Sequence, residues 1–292
     1  MINKKEWTKN EIDFILKNYE NMTIKEIAKV LNRSESAVHI KANRLGLKKY
    51  PYYCNKDFFN VIDTEEKAYW LGFIVADGYV EKGKNNSAEL GIELKLSDIE
   101  HLRKFNKSIN GNYKISIRER KSPFKENTII KMCGLRIYSI QMVNDLCNLG
   151  VTPHKSHQIK FVKLREDLIF HFIRGYFDGD GSIYAHDNKK RYIGMKFTSG
   201  CESFIEDLRL YLFSKGINSY ISKQENYCEL LIGGMANVDK LLNYMYKDAT
   251  IYLDRKLQKS IWLYKKFEIE QRLPRHSEMS DFYFNWERKL EG

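Results

Sequence analysis

The residues best placed to do chemistry in this chain are two aspartates, each of which closes an apolar run. Asp77 ends Tyr69-Trp70-Leu71-Gly72-Phe73-Ile74-Val75-Ala76-Asp77 and is followed by Gly78. Asp180, 103 positions on, ends Phe172-Ile173-Arg174-Gly175-Tyr176-Phe177-Asp178-Gly179-Asp180 and is followed by Gly181. Each run reads as a short buried helix, with the following Gly expected to turn the chain off the helix end. A carboxylate there is costly to bury without a partner. Gly72 and Ala76 are four apart and share a helix face, as do Gly175 and Gly179. Packed along those small-residue faces, the two helices would bring Asp77 and Asp180 side by side. Two such carboxylates repel unless divalent cations sit between them, so a metal-dependent hydrolytic centre is expected.

The elements that must position these acids occur twice. Lys95 matches Lys196 and Lys155 matches Lys256, both 101 apart, while Leu135, Ile137, Val143 and Leu146 recur as Leu230, Ile232, Val238 and Leu241 at an offset of 95. A duplicated unit with one small indel accounts for this. Each copy reads as apolar helix, two strands, amphipathic helix, two strands and a final helix. In the first copy the strands are expected over Ser87 to Leu96, Tyr113 to Arg120 and Thr128 to Tyr138, with one earlier strand poorly marked. Alternation puts Lys114, Ser116, Arg118 and Arg120 on one strand face, as a sheet laid against DNA needs, although a merely solvated face has the same pattern.

The first fifty residues are organised differently. Thr8-Lys-Asn-Glu11 and Thr23-Ile-Lys-Glu26 both fit the capping box, and Trp7 with Ile12 fits a hydrophobic staple. Helices are expected to about Tyr19, over Ile24 to Leu31, and over Glu35 to Leu45 after a Ser34 cap, a helix-turn-helix arrangement. In the third helix Val38, Ala42 and Leu45 form the inner stripe, while Ser36, His39 and Asn43 share a face that could reach base edges. Arg33, Lys41 and Arg44 are then expected to meet phosphates. A small helical protein-interaction module is the bland alternative. The stretch resembles helix-turn-helix and Myb-like modules through Trp7, the Thr-x-Lys-Glu-Ile-Ala turn at residues 23 to 28 and the Ala-x-Arg-Leu-Gly-Leu ending at residue 47.

Composition agrees with a polyanion as partner. The 292 residues carry 49 Lys and Arg against 38 Asp and Glu, a net charge of +11, together with 19 Tyr and four Trp. With 43% apolar residues the chain can bury a real core. No apolar run approaches bilayer length, and the N-terminus leads into charged residues without a signal sequence, so a cytoplasmic or organelle-matrix protein, not secreted and without membrane contact, is expected. Five scattered cysteines suggest reduced thiols. His154 and His157 are read as surface or phosphate-facing residues, and Asp178 as support for the helix end.

The paired segments resemble the defining motifs of LAGLIDADG homing endonucleases in the single-chain, two-motif form. Gly175-Tyr-Phe-Asp-Gly-Asp-Gly-Ser182 matches closely, and Leu71-Gly-Phe-Ile-Val-Ala-Asp-Gly78 matches with Val75 where an acid is common. The resemblance implies an α+β fold, a pseudo-symmetric duplicated αββαββα pair whose motif helices form the central interface, here preceded by a small all-α domain. By the same resemblance Asp77 and Asp180 bind divalent metals with help from the carbonyls of Ala76 and Gly179, and each site cuts one DNA strand. Mg²⁺ is the implied cofactor, with Mn²⁺ an accepted substitute. Lys155 and Lys256 are preferred as the active-site lysines, with Lys95 and Lys196 the competing pair and otherwise DNA contacts.

The expected organisation is a helix-turn-helix domain over 1–50, a linker over 51–64, repeats over 65–165 and 166–271, and a tail over 272–292. The expected function is site-specific double-strand cleavage of DNA by a monomer that spreads a mobile intron or gene. Alternatives on the same fold are a non-catalytic DNA-binding regulator and an intron maturase that binds RNA. A chain that starts with Met and ends Leu290-Glu-Gly292 is not expected to be an intein.

Overall fold

The computed structural model describes residues 6–19, 22–47, 52–84, 87–121, 128–153, 159–186 and 192–269. The chain divides into two compact units, Met1–Tyr52 and Tyr53–Gly292. In the first, capping boxes start α1 (Lys9–Asn18) and α2 (Ile24–Leu31). Thr8 N donates to Glu11 Oε2 at 2.8 Å and Glu11 N to Thr8 Oγ1 at 3.3 Å; Thr23 and Glu26 repeat the exchange at 2.7 and 3.1 Å. Such a cap contributes about 1 kcal/mol by satisfying N–H groups that the helix start leaves unpaired. Asn32 then turns the chain in the left-handed region (φ 49°), and Ser34 caps α3 (Glu35–Arg44). Ile15, Tyr19, Ile27, Ala28, Val38 and Ala42 form the core of this unit.

The second unit begins inside the stretch expected as a linker. Phe58 and Phe59 are buried, Phe59 lies 6.4 Å from the Phe105 ring, and Asn55 N donates to Ile109 O at 2.6 Å. Two adjacent aromatics carry too much apolar surface to stay in water, so the segment joins the core.

Two copies of one topology follow. The first is α4 (Glu65–Asp77), β1 (Gly78–Lys82), β2 (Ala88–Lys95), α5 (Ile99–Ser108), β3 (Ser116–Lys121), β4 (Ile129–Tyr138) and α6 (Ile140–Asn148). The second is α7 (Glu166–Asp180), β5 (Gly181–His186), β6 (Tyr192–Ser199), α8 (Glu202–Ser214), β7 (Tyr220–Lys223), β8 (Cys228–Gly233) and α9 (Met235–Tyr246), and α10 (Asp254–Ile269) comes after it. The antiparallel sheets have strand orders β1-β2-β4-β3 and β5-β6-β8-β7. This α+β arrangement is the expected duplicated αββαββα pair.

Strand pairing corrects one part of the repeat. Leu135 pairs with Ile92 and Leu230 with Phe197, so the 95-residue offset holds for β4 and β8. Lys95, however, pairs with Met132, whereas Lys196 pairs with Leu231, the counterpart of Arg136. Lys95 and Lys196 therefore stand four positions apart in the common frame. In the paired register Ile92 corresponds to Phe197, 105 positions on, so the 101-residue spacing of the two lysines is not a structural equivalence.

Candidate active site and nucleic-acid interface

Asp77 and Asp180 are the last residues of α4 and α7, and the two helices cross backbone against backbone. A Cβ on Gly72 would lie 2.0 Å from Phe172 O, and one on Gly175 would lie 2.0 Å from Tyr69 O. Only glycine permits this approach. Towards the acids a Cβ on Gly179 would meet Ala76 Cβ at 2.4 Å and Asp77 Oδ2 at 3.3 Å, which puts the Asp77 carboxylate against the last turn of α7. Asp77 is half-buried and Asp180 exposed. Both carboxylates bear on the Tyr176 hydroxyl, whose pKa is raised by burial first, then by Asp180 and more weakly by Asp77.

Gly78 and Gly181 do not act as left-handed turns. Their φ angles are −83° and −87°, and each opens a strand directly. Space is the reason for glycine: a Cβ on Gly78 would strike Ile74 at 2.8 Å, and one on Gly181 the Phe177 ring at 2.2 Å.

Asp178 is fully buried and its oxygens are filled by neighbours. Tyr69 Oη donates to Oδ2 at 2.7 Å, Leu253 N to Oδ2 at 2.7 Å, and Tyr246 Oη to Oδ1 at 2.7 Å. Burial raises its pKa, against these hydrogen bonds and the charge of Lys256. One carboxylate thus ties α4, α7, α9 and the approach to α10 together, the supporting role expected for it. Tyr69 Oη also lies 3.0 Å from His101 Nε2. Since that hydroxyl donates to Asp178, it accepts from Nε2–H, which leaves Nδ1 as a buried lone pair without a partner. Burial, followed by the charges of Lys104 and Arg255, pushes His101 down to about 3.

Lys256 lies in the first turn of α10, after α9, the last helix of the second repeat. Its buried Nζ donates to Phe177 O at 3.1 Å and to Gly181 O, and sits 5.1 Å from the Phe177 ring. Burial lowers its pKa to about 8, with Asp178 and Asp77 pulling the other way. The ammonium therefore caps the carbonyl end of α7, where a cation also suits the helix dipole. Lys155, its expected counterpart, and His154 and His157 lie outside the described residues, as does the tail over 272–292.

Among the described residues no group of three or more His, Cys, Asp and Glu side chains could hold a metal. A smaller donor set than that is usual for Mg²⁺. That ion is commonly held by one or two carboxylates and completes its shell with water and substrate phosphate oxygens.

The sheets present outer faces set by the register. On the first lie Tyr79, Glu81, Glu89, Glu93, Lys95, Ser116, Arg118, Arg120, Arg136 and Tyr138. Arg118 grips Glu93 through Nε (2.6 Å) and Nη2, and Arg136 Nε lies 3.6 Å from Glu89, which accepts from Tyr79 Oη at 2.7 Å. Lys114 is exposed just before β3. Arg136 was missed, although the alternation of buried Leu135 and Ile137 already pointed it outward. On the second sheet the corresponding face carries Ser182, Tyr184, Lys196, Thr198, Tyr220, Ser222, Glu229 and Leu231, with Lys196 paired to Glu229.

In the first unit Ser36, His39, Asn43 and Arg44 are exposed on α3, and Lys41 is half-buried. Arg33, expected at phosphate, is instead drawn inward: Nε reaches Glu11 Oε1 at 2.9 Å, Nη2 reaches Glu6 O at 2.6 Å, and the guanidinium lies 4.6 Å from the centre of the Trp7 ring. Its side chain is 9% exposed. Glu11 is held at about 2, chiefly by this pair.

Residues 167–246 match the family model of a LAGLIDADG-like domain. That stretch runs from the first turn of α7 to the last residue of α9, one complete seven-element unit. The chain is 27% identical over 195 residues to a probable translation initiation factor IF-2 of Thermococcus kodakarensis, covering 66% of this chain and 16% of the relative. It is 23% identical over 240 residues to the replication factor C small subunit of Methanocaldococcus jannaschii, covering 79% and 12%. The chain therefore spans only a small part of these relatives. Among solved structures, the homing endonuclease I-WcaI bound to its DNA recognition sequence aligns with a TM-score of 0.49 and 17% identity, over 69% of this chain and 91% of that one. No described helix is long and apolar enough to cross a membrane.

Proposed function

We propose that this protein is a site-specific double-strand DNA endonuclease of the LAGLIDADG homing type. The observation that carries the reading is the delivery of Asp77 and Asp180 to one place by two glycine-faced helices, each leading straight into a sheet with a solvated face. Two carboxylates of near-symmetric origin suit the cutting of two antiparallel strands. Bound Mg²⁺ would activate water and neutralise charge on the phosphate. Asp77 and Asp180 would hold that ion, with the carbonyls of Ala76 and Gly179 within the same turn ends, and Lys256 keeps the end of α7 in place. Arg118, Arg120, Arg136 and Lys95 supply phosphate and base contacts from the first sheet, and Lys196 does so from the second.

The two curated relatives differ in their named roles, translation initiation and replication, and share with this chain only a small part of their length. Such a segment behaves as an element carried independently of its host's activity, in keeping with a mobile gene. The first unit acts as a helix-turn-helix module that adds affinity through Ser36, His39, Asn43, Lys41 and Arg44 on α3.

The test is to incubate a randomised duplex library with the full chain in Mg²⁺ or EDTA and sequence the ends, for wild type and for Asp77→Asn/Asp180→Asn. Staggered ends at one long site, dependent on Mg²⁺ and absent from the variant, are expected. Binding without cutting under every condition would replace this reading with the regulator or the maturase.

A further inference from the structure

The two sheet faces differ in a way the duplicated topology does not require. The first carries Arg118, Arg120 and Arg136, whereas the described part of the second carries no arginine, and its one cation, Lys196, is engaged by Glu229. The arginines of the first sheet are also oriented. Glu93 takes Arg118 by the Nε and Nη2 edge, and Tyr79 fixes Glu89 beside Arg136. Both guanidinium side chains remain 54% exposed; Arg118 is held by hydrogen bonds along one edge, and Arg136 lies beside Glu89 at ion-pair distance.

An arginine held along its Nε–Nη2 edge still has its Nη1–Nη2 end free. That end matches the O6 and N7 acceptors of guanine in the major groove, a pairing that discriminates strongly between bases. Tyr79, Ile92, Glu93, Ser116, Arg118, Gly134 and Arg136 line a notch of about 60 Å³. The Tyr79 ring covers Gly91, whereas Gly134, between Glu93 and Ser116, leaves the row between the two arginines without a central side chain, and a base edge can approach there. The carboxylates add a second filter: each offsets the charge of one arginine, so without a paired guanine the cluster offers DNA no net attraction.

Resting on the function proposed above, we infer that the half of the DNA target under the first sheet is specified by guanines paired with Arg118, which Glu93 pre-orients, and with Arg136, which lies beside Glu89, whereas the described face of the second sheet offers hydroxyls and Lys196 in their place. The rise per residue along a strand is close to that of a base pair, about 3.4 Å, and the two arginines stand four register positions apart on adjacent strands. The guanines should therefore lie about two to four base pairs from each other. On the second face, hydroxyls of Ser182, Thr198 and Ser222 and the apolar Leu231 suit thymine methyls and adaptable contacts, a more permissive reading.

Library cleavage by the full chain with Mg²⁺ decides this, comparing wild type with Arg118→Lys, Arg136→Lys and Glu93→Gln. The expected result is a target with two guanines in one half, each losing about 5- to 100-fold of its preference in one arginine variant only. Glu93→Gln should relax the Arg118-dependent guanine while raising total DNA binding, a combination that a merely structural role would not produce. A recovered target whose guanine preferences survive both arginine variants, or that has no guanine in either half, overturns the inference and leaves the endonuclease standing. No cleavage products from wild type overturns both.

Discussion

Val75 and Asp178 occupy the same place in their repeats, two residues before the closing acid, yet one is held by packing and the other by hydrogen bonds from Tyr69, Tyr246 and Leu253. The same helix end has been supported in two ways. Apolar packing suffices at the end of α4. At the end of α7 a buried carboxylate recruits elements from both repeats, and with Lys256 beside it, it fixes where α10 begins. Backbone symmetry and near-identical acids do not imply equal supports, and a buried carboxylate is tolerable only when its hydrogen-bonding capacity is filled.

The largest effect should fall where the repeats are alike. Asp77→Asn and Asp180→Asn are each expected to reduce double-strand cleavage by at least about 1,000-fold, the scale on which a group that stabilises transition-state charge acts, with DNA binding largely retained in a gel-shift assay. A variant pair in which only one acid mattered would break the symmetry of the site.

Exchanging the supports should expose the asymmetry. Asp178→Val removes the acceptor for two buried hydroxyls and an amide and should lower stability by about 3–5 kcal/mol in urea unfolding. Asp178→Asn, which keeps one acceptor oxygen, should lose less. Val75→Asp buries an acid at a position now filled by an apolar side chain and should also destabilise, so the double exchange does not restore stability.

Acid and alkali sharpen the same contrast, because both titrating groups belong to the network around Asp178. His101 stays neutral in the folded state down to about 3, whereas in the unfolded chain it takes up a proton near 6.5. Stability is therefore lost as pH falls below about 6.5, by about 1 kcal/mol per pH unit, and His101→Gln should flatten that slope. Lys256 acts with the same sign in the alkaline range: its folded pKa is near 8 and its unfolded value near 10.5, so its contribution to stability improves as pH rises between them. Lys256→Met should remove that alkaline rise.

The smallest effect separates the two units. Removal of residues 1–50 should weaken DNA binding by about 10-fold and reduce its salt dependence, with the cleavage rate at saturation nearly unchanged, as single-turnover kinetics would show.

Local spacing made much of this protein legible in its sequence. Capping boxes at Thr8 and Thr23, the small residues Gly72, Ala76, Gly175 and Gly179, the closing acids and the recurrent apolar positions all act over four residues or fewer, or repeat in register along the chain. They determined the helix starts, the duplicated topology and the packing of α4 on α7. Tertiary structure alone decided the rest. Asp178 meets Tyr69 across 109 positions and Leu253 across 75, Arg33 meets Glu11 across 22, and Lys256 reaches the carbonyl of Phe177 across 79. Each side chain took the nearest group able to satisfy it once burial had removed water, and which group that would be depends on how distant elements pack. Strand register was settled the same way: the alignment of Lys95 with Met132 and of Lys196 with Leu231 follows from which apolar side chains fill each core, not from spacing along the chain.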